Sequence, residues 1–144
     1  MVRAVFRPLG PSPRCGLALG ALLIALSGGC SGTSPMKIKV TAPENANGGR
    51  PVYMLLRTVD DATFAADSYG GVAPKVVAPD ATVLKYQVIY PSSAPVIEVT
   101  QPEKGDVGVY FFFTNPTAEW KTLVKRPFAH KIEIALGQNQ IVQP

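Results

Sequence analysis

An antiparallel β-sandwich with one short helix, carried behind an export signal, is the fold class this chain predicts. Three observations predict it. After residue 36 there are seven or eight short segments rich in β-branched and aromatic residues, most alternating apolar with polar. Turn residues separate them at close spacing, and only one stretch, Asp60 to Tyr69, changes to a helical pattern.

The first 35 of the 144 residues read differently from the rest. Arg3, Arg7 and Arg14 form a positive region, Cys15 to Leu26 an apolar run of 12 residues, and Ser27, Gly28 and Gly29 a small-residue approach to Cys30. Twelve apolar residues are too few for a hydrocarbon core that needs about 20, so a cleaved signal at 1–29 is expected rather than a transmembrane helix. Ending on a cysteine, it has the order of parts of a lipoprotein signal, whose processing acylates Cys30. Ser27 departs from that pattern, since a branched apolar residue usually stands three places before the cysteine and here Leu26 lies one step further back. An ordinary secretory signal cut nearby is the competing reading. Residues 30–35 then form a short polar tether and 36–144 the folded domain.

Removing the signal changes what the charge implies. The whole chain carries 14 basic and 10 acidic residues, +4, but without Arg3, Arg7 and Arg14 the balance is 11 to 10, about +1. A nucleic-acid binder is not expected from so small an excess. Cys15 leaves with the signal, so the mature chain has no pair for an internal disulfide.

Within the domain, Met36 to Thr41 alternates Ile38 and Val40 with Lys37 and Lys39 and predicts a half-exposed strand. Ala42 to Arg50 has no apolar residue larger than Ala or Pro, which predicts a long, Asn-Gly-Gly-softened surface loop with no packing role. Pro51 to Val59 is apolar on both alternating sets and predicts a strand covered on both sides. Asp60 suits an N-cap, Phe64 the inner face of a short helix, and Gly70-Gly71 its stop. Between Pro74 and Pro79, Lys75 to Ala78 is expected as a brief strand or docked segment. Strands are then expected at Thr82–Tyr90, Val96–Gln101, Val107–Thr114 (the most apolar, hence a sheet centre), Trp120–Arg126, Ile132–Leu136 and, last, Ile141-Val142.

Chemistry-bearing residues are sparse. The domain has a single histidine, His130, after a Pro-Phe-Ala turn, with no Gly-x-Ser-x-Gly context for a nucleophile. No Cys, His and carboxylate cluster has zinc-ligand spacing, and Asp60-Asp61 is accounted for by a helix cap. Tyr110 to Phe113 and Trp120 read as core before they read as a ligand groove. An enzyme, a cofactor or a small-molecule substrate is therefore not expected.

The lipoprotein-like signal, the first strand and polar loop, Pro51-Val-Tyr-Met-Leu-Leu-Arg-Thr-Val59, the segment holding Phe64 and Tyr69, and the closing Ile132-Glu-Ile-Ala-Leu-Gly-Gln-Asn-Gln-Ile141 together resemble the type VI secretion outer-membrane lipoproteins called TssJ, SciN or VasD. The resemblance spans the mature chain and rests on order and texture. It implies a transthyretin-like sandwich of two sheets of about four strands, lipid-anchored through Cys30 in the outer membrane and facing the periplasm. It also implies a structural role, tethering the periplasmic part of the inner-membrane protein TssM through the loop between the first two strands. Here that loop corresponds to Pro43, Glu44, Asn45, Ala46, Asn47, Gly48, Gly49 and Arg50. The readings that compete are a ligand- or carbohydrate-binding sandwich lipoprotein, marked by a solvent-exposed aromatic pocket, and a transthyretin-like hydrolase using His130.

Overall fold

Alternation in the first strand sets the first sheet. The computed structural model describes residues 35–142; the expected signal and Cys30 lie outside the described residues. Met36–Thr41 forms β1, whose Met36, Ile38 and Val40 are buried while Lys37 faces out. It lies between β4 (Val96–Val99), antiparallel, and β7 (Lys131–Leu136), parallel, and β7 in turn pairs with β8 (Ile141–Val142). One face of this sheet is core. The other carries cross-strand charges, with Lys37 Nζ 3.1 Å from Glu98.

The second sheet has the order β3-β2-β5-β6, from Val83–Ile89, Val52–Val59, Asp106–Phe112 and Lys121–Val124. All its pairs are antiparallel. Met54, Leu56, Val107, Val109 and Phe111 face the first sheet and make the shared core with Ile38, Val40, Ile97 and Ile134. Each fully buried side chain of this size contributes roughly 1.5–3 kcal/mol relative to leaving it in water. The expected two sheets of four strands are present, and β2 and β5 are the central strands. The parallel β1–β7 pair departs from a purely antiparallel sandwich.

The other face of β2 and β5 is covered by a helical excursion, which is why β2 is apolar on both alternating sets. Asp60 caps α1 (Asp61–Ala66), its carboxylate accepting from the Thr63 amide at 2.6 Å. Ser68 caps α2 (Tyr69–Val72), and a turn of 3-10 helix follows at Ala73–Val76. Of the two readings of Lys75–Ala78, the docked segment is the one observed: its start belongs to the 3-10 turn rather than a strand, and Val76 packs half-buried against the core beside buried Val72. The expected helix stops earlier, at Ala66, where Asp67 and Ser68 are extended, and Gly70-Gly71 lie inside α2, which burial of Val72 and the Ser68 cap hold despite two poor helix formers.

A polar pin fastens this excursion to the sheet. The Asp67 carboxylate accepts from Arg57 Nη1 at 3.2 Å and from the Tyr110 hydroxyl at 2.6 Å, and Lys121 Nζ donates to the Asp67 carbonyl at 2.8 Å. Burial, together with the hydrogen bond to Asp67 and its charge, pushes the Tyr110 hydroxyl well above the usual tyrosine range, so it stays a donor. Gly108 makes the geometry possible, because a Cβ there would stand 2.6 Å from the Tyr110 hydroxyl oxygen. Phe64, Tyr110 and Trp120 pack around the pin, with Phe64 directed inward as expected.

At the edge strand β3 the alternation is as read, but its direction is informative. Tyr86 and Val88 pair with Leu55 and Tyr53 on the helix-bearing face, while Lys85 and Gln87 point between the sheets. Lys85 reaches across to the Glu98 carbonyl at 3.2 Å. An inward charge of this kind guards a sheet edge against pairing with another chain.

Candidate partner-binding surface

Because β1 leads from Met36 to a loop that opens β2, the two ends of the sandwich are distinct. Met36, the start of β1, lies at the end where β2 finishes and the 100–105 and 125–130 loops lie. The loops 42–51, 90–95, 113–120 and 137–140 gather at the opposite end. Ala42 bonds to Ser93, Thr114 to Asn47 and Thr117 to Asn139, which ties these four loops together.

The 42–51 loop is less free than its composition suggests. Ala42, Ala46 and Asn47 are buried, and Asn47 links two loops: its Nδ2 donates to the Pro51 carbonyl at 2.8 Å and its Oδ1 accepts from the Thr114 amide at 2.7 Å. A buried amide satisfied at both ends is a structural latch. Two of the eight residues expected at a partner surface, Ala46 and Asn47, are therefore turned inward, and the loop does have a packing role. Pro43, Glu44, Asn45, Gly48, Gly49 and Arg50 remain exposed. Asn47 and Gly48 both adopt left-handed backbone, φ 49° and 64°, a conformation that Asn and Gly accept with little strain.

Beside the latch is a polar hollow of about 230 Å³, lined by Asn47, Gly48, Arg50, Thr114, Asn115, Gln138 and Asn139. Arg50 is its one charged side chain. In the sequence, Asn115-Pro and Gly137-Gln-Asn-Gln are plain turn residues, and nothing local to them shows that these turns meet the first loop. Only the pairing of β7 with β1 and β8 brings them there.

A second depression lies on the helix-bearing face. Tyr53, Tyr69, Ala73, Val76, Val77 and Phe112 line an apolar groove of about 390 Å³. Tyr53 is about half exposed at 49% and Val77 is 89% exposed. The Tyr69 hydroxyl is occupied, donating to the Phe113 carbonyl at 2.5 Å, and burial pushes it above the usual tyrosine range.

His130 is exposed, and its carbonyl accepts from the Lys37 amide. Asp60 caps α1, and Asp61 pairs with Lys125 at 2.8 Å. Tyr110, Phe111, Phe112, Phe113 and Trp120 are buried core. Among the described residues no His, Cys, Asp and Glu group has metal-holding geometry, and no helix is long and apolar enough to cross a membrane.

The sandwich with its helical cover and loop cluster has the fold of type VI secretion lipoproteins. It is similar to the T6SS lipoprotein TssJ1 from Pseudomonas aeruginosa, with a TM-score of 0.61 and 17% identity over 78% of this chain and 98% of that one. It is also similar to Serratia marcescens Lip, a membrane-bound component of the type VI secretion system, with a TM-score of 0.60 and 13% identity over 76% and 96%. A chain in the structure of the T6SS protein TssM C-terminal domain (869-1107) from EAEC matches with a TM-score of 0.61 and 14% identity over 76% and 98%.

The chain belongs to the family described as IglE, N-terminal domain, whose model matches residues 53–136, more than half of its length. No curated protein matches it in sequence. At the level of fold, the resemblance read from the residues is borne out.

Proposed function

We propose that this chain is a structural component of a type VI secretion membrane complex. Acylated at Cys30, it sits on the periplasmic side of the outer membrane and tethers the periplasmic domain of a TssM-like inner-membrane protein through the exposed part of residues 43–50. It works as a handle, not as an enzyme. Three acyl chains, each methylene contributing about 0.8 kcal/mol when buried in lipid, hold a nearly neutral domain far more firmly than one chain would.

The observation that carries this reading is the polarity of the sandwich. β1 starts at one end and the exposed loop lies at the other, so an anchor joined to the Met36 end would leave that loop facing away from the membrane. The TssJ-like fold supports the same reading. The experiment is co-purification of the lipoprotein with its cognate TssM-like domain. Replacing Glu44, Asn45 and Arg50 by Gln, Ser and Gln while keeping Asn47 and the positive-φ Gly48 and Gly49 should weaken capture about tenfold or more, with the melting temperature unchanged. Capture at the wild-type level by that variant would remove the loop from the interface.

One observation favours a second reading. Half-exposed Tyr53 borders the apolar groove, and Tyr86 on the same face is 56% exposed. Stacking aromatics suit a sugar ring, but the groove offers no free carboxylate or amide for sugar hydroxyls. A soluble oligosaccharide that shifted the Tyr53 and Tyr69 ring signals on titration would favour that role.

A further inference from the structure

We infer that the polar hollow at the loop end is the specificity-determining part of the docking surface, and that it takes an extended segment of the partner carrying an acidic side chain. This rests on the tethering reading and deepens it, because it adds Asn115, Gln138 and Asn139, from two other loops, to the surface.

Three features support it. The first is rigidity. Asn47 joins the first loop to Thr114, while Thr117 donates to the Asn139 carbonyl at 3.1 Å and its hydroxyl lies 3.0 Å from Gln140 Oε1. Ile141 donates to the Glu119 carbonyl at 2.7 Å, and Gly137 to the Gln140 carbonyl at 2.8 Å. The floor of the hollow is thus held by bonds between loops of both sheets. Little ordering remains to be done on association, which removes a cost that a free Asn-Gly-Gly loop would bring.

The second is the chemistry of the rim. Among the described residues, the Asn115, Gln138 and Asn139 side chains have no hydrogen-bonded protein partner, and Arg50 has no ion pair. A primary amide donates and accepts side by side, the same complement that a peptide unit offers. Three such groups around a narrow hollow match the backbone of an extended chain.

The third is charge. Arg50 stands alone among amides, and a guanidinium pairs with a carboxylate through two parallel hydrogen bonds. The segment that fits therefore has an Asp or Glu placed to meet Arg50 while its main chain crosses Asn115 and Gln138.

The test uses the processed lipoprotein in detergent and the cognate TssM-like periplasmic domain as the probe, titrated at low and high salt. Arg50→Gln should lower affinity about tenfold at low salt and flatten its salt dependence. The Asn115→Ala, Gln138→Ala double variant should also lower affinity about tenfold yet keep the salt dependence. Far-UV circular dichroism and the melting temperature of each variant should match those of the wild type, since all three side chains are exposed. If the double variant binds like the wild type while Arg50→Gln is impaired, the composite hollow is overturned and the single-loop surface stands. If Arg50→Gln keeps the full salt slope, the acidic segment is overturned. Failure of the wild type to bind the domain at all overturns both this inference and the tethering role.

Discussion

Asp67→Ala should destabilise the domain by about 3–5 kcal/mol, a large share of the stability of a domain this size. The reason is asymmetry. Arg57 is 7% exposed and its Nε is buried without a partner, so the guanidinium depends on Asp67 for its compensation. Taking Asp67 away strands that charge and the Tyr110 hydroxyl at once. Replacing both members of the ion pair, Arg57→Met with Asp67→Leu, should cost distinctly less, because no charge is then left in the interior. Urea unfolding of the two variants measures the difference. A loss below about 1 kcal/mol for Asp67→Ala would mean that water reaches Arg57 and that the pin does not hold the helical cover.

Cys30→Ala should move the protein almost wholly from washed membranes to the soluble fraction. Without acylation little else would hold it there: the charge balance without the expected signal is about +1, and among the described residues no helix is long and apolar enough to cross a membrane. The isolated domain should keep its unfolding midpoint, since the described strands begin at Met36, six residues beyond the substitution. Membrane fractionation with a melting curve on the released protein checks both halves. Retention of the variant in washed membranes would require a second anchor and would defeat the lipid reading.

How much of this was legible in the residues depended on whether the relevant partner was close in sequence. The Asp60 cap, the inward Phe64 and the apolar β5 are local patterns, and each was readable. The double-sided burial of β2 was readable too, although what covers its second face was not, because Ser68-Tyr-Gly-Gly has poor helix propensity and is held by burial of Val72 and by the Tyr69 bond to Phe113, 44 residues away. The parallel β1–β7 pair joins strands about 95 residues apart and leaves no mark in either strand. Asn47 is the sharpest case. Asn in an Asn-Gly-Gly run signals a turn, and only the Thr114 amide, 67 residues on, makes it a latch.

The same distinction explains the candidate surface. Its first loop stood out because it lacked apolar residues, whereas Asn115, Gln138 and Asn139 looked like ordinary turn residues until the sheets brought three loops together. The loop end and the Met36 end were likewise invisible before the strand order was known.

That polarity is the claim on which the account turns, and site-specific photo-crosslinking in intact cells tests it most directly. With a photoreactive residue at Glu44 or Gln138, an adduct with the TssM-like protein is expected. From Lys104, in the loop at the Met36 end, none is expected. Adducts from Lys104 and none from Glu44 or Gln138 would place the partner at the wrong end of the sandwich and contradict it.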